Sequence, residues 1–128
     1  MSNPLVHAER AVQKWGGSVE DYLPVHQFFD STKAHVPDNR HRLILHNSFG
    51  IAVVEQIFGL AIRNTEGRRV FVREIGQQHV IEDLGFIPTL GDCLKEIRIQ
   101  PWMSGAHRLI TDSLAAANAA GALENPAE

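Results

Sequence analysis

The segment from Asp38 to Gly59 constrains the fold more than any other part of this chain. Leu43, Ile44, Phe49, Ile51, Val53, Val54, Ile57 and Phe58 carry it, and they predict one long central helix around which the other elements pack. Asp38 supplies an N-cap after Pro37, and Gly59 supplies the stop. Gly50, inside the run, costs roughly 1 kcal/mol against alanine in a helix interior, so it marks either the close approach of another backbone or a kink. The longest apolar-rich stretch, Phe49 to Ile62, is broken by Gly50, Glu55, Gln56 and Gly59, which leaves it too short and too polar to cross a bilayer.

A chain of 128 residues holds one core of ordinary size, and a second would leave each half marginal. Hydrophobic residues at 44% and charged residues at 21% exclude a disordered or fibrous design. A net charge of −3 gives no general attraction to phosphate backbones or acidic membranes, which makes nucleic acid the weaker candidate partner. The opening "MSNPLVHAERAVQKW" places charges where a secretory peptide needs an apolar stretch, so a cytoplasmic setting is expected. Cys93 stands alone, which excludes an internal disulfide and any multi-thiolate zinc site; within "GDCLKEI" it reads as core filler.

Before the central segment, "PLVHAERAVQKW" repeats Leu5, Ala8, Ala11, Val12 and Trp15 at helical spacing, and Gly16 and Gly17 stop it. Ser18 with Asp21 three positions on offers a variant capping box, and Pro24 is expected to kink or restart the chain into a short helix, "PVHQFFDSTK". After Gly59 the period changes. "LAIRNTEGRRVFVREI" sets two β-prone runs around "NTEG", with Val70 and Val72 alternating against Phe71 and Arg73, and predicts a hairpin. Two strands alone are marginal, so the hairpin must lie on the helices or extend a sheet across a homodimer.

Downstream come a short helix ending at Gly85, a proline turn, and a helix capped by Thr89; in "QPWMSGAH", Trp102 and Met103 are expected to cover the core. The class is α+β: one helix-rich domain over residues 1–108 with one β-hairpin, then an Ala-rich helix and frayed tail over 109–128.

Seven histidines are the chemical resource. Neutral imidazole binds divalent metal at cellular pH, or moves protons near its ordinary pKa of about 6.5. His26 with Asp30, and His79 with Asp83, share an H-x-x-x-D spacing that places each pair on one helix face. His41 and His46 would stand about 140° apart on a regular helix, so one ion cannot take both. His46 aligns with Arg42, Phe49 and Val53 and is chosen, while His41 is assigned to solvent or a phosphate.

The expected pocket, for a divalent metal (zinc, manganese or iron) or a small polar ligand, is therefore built from His26, His35, His46, His79 and Asp83, with Asp30 as orienting or alternative ligand. Any reaction would be metal-assisted hydrolysis or proton transfer, with Asp83 or Asp30 as base. His7 and His107 are left out as surface residues. The competing reading keeps these histidines as structural hydrogen-bonding groups, since no H-E-x-x-H, C-x-x-C or calcium-loop pattern is present.

Arg42, Arg68, Arg69 and Arg73 are candidate anion- or partner-binding residues. They support the alternative of a non-enzymatic module whose Arg-rich hairpin binds a protein partner or nucleotide. No standard nucleotide cradle accompanies them.

The motifs "HNSFGI", "NTEGRRV" and "GQQHVIEDLG", with "HAER" before them and "PWMSG" after, cover about residues 5 to 104. In these the chain resembles a family of small uncharacterised proteins of bacteria, phages and other mobile elements. "DCL" stands where relatives would carry a bulkier aromatic. The resemblance implies one helix-rich cytoplasmic domain and assigns no activity and no catalytic residue.

Overall fold

Asn3 starts the first helix, α1 (Pro4–Trp15), by accepting the Val6 N–H on its side chain, and Pro4 sits where its missing N–H costs nothing. The computed structural model describes residues 3–105. Ala8, Ala11 and Trp15 turn inward at the predicted spacing, and His7 goes in with them. The second helix, α2 (Val19–Phe29), runs unbroken through Pro24, so the expected kink or restart does not occur. Pro24 is exposed, and so is Glu20, whose carbonyl loses its helical donor and can turn to water. Asp21 accepts the Ser18 N–H at 2.8 Å, half of the expected capping box.

The central segment is not one helix. A 3-10 turn, Asn39–His41, opens behind an Asp38 cap and leads into one turn of α-helix, α3 (Arg42–Leu45). The chain breaks at His46 and Asn47 and resumes as α4 (Ser48–Phe58). Asn47 makes the break. Its amide donates to the Leu43 and Ile44 carbonyls at 3.0 and 3.2 Å, closing α3, and its oxygen accepts the Gly50 N–H at 2.9 Å, opening α4. A Cβ at Gly50 would fall on the Leu45 carbonyl, so glycine is what lets α4 start so close behind α3.

The predicted hairpin is present as an antiparallel pair, β1 (Ala61–Arg63) and β2 (Arg69–Phe71), with Ile62 opposite Val70. It lies against α4 and α5. "VREI" is not its second strand: the ladder ends where the Val72 N–H donates to the Leu60 carbonyl, and Val72 opens helix α5 (Val72–Leu84). Val72 and Ile75 are fully buried there, so core packing outweighs their β-propensity. Thr89 and Asp92 exchange hydrogen bonds at 3.0 and 2.9 Å to cap α6 (Leu90–Leu94), as predicted.

Helices α1, α2, α4 and α5 surround a core of Phe29, Tyr22, Ile51, Val54, Val72 and Ile75. Cys93 is partly buried, 3.6 Å from the Asn47 amide nitrogen. The chain divides into two units, residues 1–95 and 96–128. In the second unit, Pro101–Ser104 forms a 3-10 turn on which Trp102 and Met103 are exposed, contrary to the expectation that they cover core, because a single turn encloses no side chain. The expected boundary after residue 108, the Ala-rich helix beyond it and His107 lie outside the described residues.

A candidate metal centre of buried histidines and aspartates

Each half of the site comes from one i,i+4 pair. α2 ends at Phe29 with Asp30 as its cap, so His26 and Asp30 sit on its inner side; α5 supplies His79 and Asp83. His46 arrives from the break between α3 and α4, and His7 from α1. All four of these imidazoles are fully buried. Gly76 helps the two halves meet: a Cβ there would press on the Phe29 ring at 3.1 Å, and Phe29 stacks on His79 with centroids 4.8 Å apart.

Four donor atoms converge. His46 Nε2 lies 3.0 Å from Asp83 Oδ2 and 3.6 Å from Asp30 Oδ1; His79 Nε2 lies 3.3 Å from Asp83 Oδ2 and 3.5 Å from Asp30 Oδ1. Asp30, His46, His79 and Asp83 each offer one atom within 4.8 Å of all the others. Ligand atoms bonded to one ion at about 2.1 Å stand about 3.4 Å apart in a tetrahedron and about 3.0 Å apart in an octahedron, so the arrangement has room for one cation. The Asp30 and Asp83 side chains are only 8% and 2% exposed.

Behind the four, His26 Nδ1 faces His79 Nδ1 at 2.9 Å, so this pair shares one proton. Burial, reinforced by His79 and His7, pushes the His26 pKa down to about 2 and keeps it neutral. A His79 that offers its Nε2 lone pair to a cation donates Nδ1–H to His26, which fixes tautomer and ring orientation. His7 bridges two carboxylates, with Nδ1 2.6 Å from Glu82 Oε1 and Nε2 3.2 Å from Asp83 Oδ1. Burial opposes protonation of His7, but its contacts with Asp83 and Glu82 win and raise its pKa. Gln78 donates to Glu82 at 3.0 Å and to the His7 carbonyl at 2.9 Å, holding that arm in place.

Burial, the largest influence, pushes both aspartates toward protonation. The imidazoles reverse it: His46, His7 and His79 hold Asp83 well below the usual carboxylate range, and His79 leads in lowering Asp30. Burial lowers the His46 pKa despite its bond to Asp83, so the ring is neutral at neutral pH, with one nitrogen protonated and one lone pair to offer a cation. Hydrogen bonding is incomplete. Asp30 Oδ2, His26 Nε2 and His46 Nδ1 are buried without a hydrogen-bond partner among the described residues, whereas most buried polar side-chain atoms have one.

Among the residues singled out in the sequence, the structure brings His26, His46, His79, Asp30, Asp83 and Arg42 together. His35 stays apart, exposed beside a groove with Val36, Pro37 and Arg40. His41 is not solvent-facing. It is buried with its ring edge-on to His46 at 5.5 Å, because the turn before α3 rotates it inward, and Thr32 donates to its carbonyl at 3.0 Å. His7 was legible on the inner stripe of α1 with Ala11 and Trp15, at steps of four. Arg68, Arg69 and Arg73 are exposed; Arg73 reaches Glu55 at 3.5 Å, and Arg69 lies over Phe71.

The fold and site define a helix-rich α+β domain with a His/Asp cluster able to hold a metal ion. The chain belongs to the family described as a domain of unknown function, DUF6915, whose model matches residues 2–103. No curated protein and no solved structure matches it. Among the described residues, no helix is long and apolar enough to cross a membrane.

Proposed function

We propose that this protein binds one divalent metal ion through Nε2 of His46 and His79 and one oxygen each of Asp30 and Asp83. The spacing of these four atoms, 3.0 to 3.6 Å across the four imidazole–carboxylate pairs, is what supports the reading. Two ionised carboxylates removed from water cost several kcal/mol each unless compensated, and a dication between them supplies that compensation. Two imidazoles and two carboxylates without thiolate suit zinc, manganese or iron.

When bound, such an ion supplies Lewis acidity and lowers the pKa of water, the chemistry of metal-assisted hydrolysis or proton transfer. Around it, His26 orients His79, and His7 orients Asp83. Asp30 Oδ2 is buried and has no hydrogen-bond partner among the described residues, which makes Asp30 the first candidate base and Asp83 the second. Calorimetric titration of zinc or manganese into chelator-treated protein tests the assignment. His79→Ala and Asp83→Asn are expected to weaken uptake about 100-fold or more, with His35→Ala unchanged. Equal losses from His35→Ala and His79→Ala would overturn it.

A further inference from the structure

We propose that Arg42 is an anion anchor at this centre, and that the molecule meeting the ion carries a small oxyanion, a phosphate or carboxylate group. The inference rests on the metal reading above. Arg42 stands one turn before His46, and its Nη2 lies 3.7 Å from Asp83 Oδ1, beyond hydrogen-bonding distance. Its Nε is buried without a partner, and no hydrogen bond to its guanidinium is found among the described residues.

An arginine side chain only 16% exposed normally spends its donors on carboxylate or carbonyl oxygens. Here its forked N–H groups make no hydrogen bond among the described residues and stand beside Asp83, a carboxylate that also faces His46 and His79. Charge points the same way. With Glu82 balanced by Arg10, a dication and Arg42 set against Asp30 and Asp83 leave one positive charge uncompensated, which a monoanionic group would neutralise. The Arg42 side chain is also more exposed than the metal-ligand side chains, which are 0 to 8% exposed. An oxyanion bridging the ion and the guanidinium would meet a bidentate donor on one side and a Lewis acid on the other.

The test uses the full chain loaded with manganese and freed of excess ion, titrated with inorganic phosphate and separately with acetate. At least one anion is expected to bind, and the tighter one identifies the group. Arg42→Gln is expected to weaken that binding about tenfold or more and Arg42→Lys to fall between, while manganese affinity changes less than about threefold. Phenylglyoxal labelling of wild-type protein, read by peptide mass, needs no variant: the anion is expected to slow modification of Arg42 in the loaded protein. Ion uptake with no anion binding, equal binding by Arg42→Gln, or an unaltered labelling rate at Arg42 would overturn this inference alone. Failure to take up any ion would remove the metal reading and this one with it.

Discussion

At the scale of single residues, most of the centre's chemistry is written in side chains whose type was visible and whose direction was not. The repeated H-x-x-x-D spacing located His26, Asp30, His79 and Asp83 on two helices, because four residues is nearly one turn. It did not reveal that His26 would stand behind His79 instead of beside Asp30, since that depends on how α2 and α5 cross. Gly50 is the residue where sequence and structure agree most sharply: a glycine in a helix pattern signalled close approach or a kink, and the Leu45 carbonyl is what approaches. Gly50→Ala should therefore destabilise the protein by about 3 kcal/mol, the upper range for overpacking, measured by urea unfolding. The general preference for alanine in helices predicts the opposite sign, about 1 kcal/mol of stabilisation, so a more stable variant would show that the α3–α4 break is not fixed there.

Among the elements, that break decides which histidines reach the centre. A regular helix from Asp38 sends His41 and His46 to different faces; the interrupted one buries both. "HNS" carried the signal, since asparagine followed by serine is a helix start as readily as a helix interior, but the apolar period across it was continuous enough to hide it. α2 was misjudged in the other direction, because Pro24 looks like a break and is instead tolerated on an exposed face. Its N-terminus is tied to the hairpin by Asp21, which accepts from Ser18 N–H and from both the N–H and hydroxyl of Thr65. Burial opposes ionisation of Asp21, but these bonds prevail and lower its pKa. A lowered carboxylate pKa contributes stability that is fully present above the unfolded value near 3.9 and disappears as pH falls through the folded value. Asp21→Asn should cost about 1 kcal/mol at pH 7, as for loss of a cap, and the gap from wild type should close as pH falls through the lowered folded-state pKa of Asp21. Denaturant unfolding across that range checks it, and a gap independent of pH would mean that the carboxylate's charge is not what holds the turn.

For the molecule as a whole, the helices are arranged so that chain segments far apart in sequence deliver ligands to one buried point. The class and the hairpin were legible because they follow from local periodicity and turn chemistry. The centre was legible only as an inventory, since convergence is a property of packing: His7 joined through the inner stripe of α1, and His35 stayed out because its turn faces water. The central claim is that this convergence holds a metal ion. Elemental analysis of untagged protein, stripped with chelator, reloaded with zinc, manganese or iron and freed of excess ion, tests it most directly. The account predicts about one ion per chain, lost in His46→Ala. A metal content well below one ion per chain with all three metals, in protein that remains folded, would contradict it.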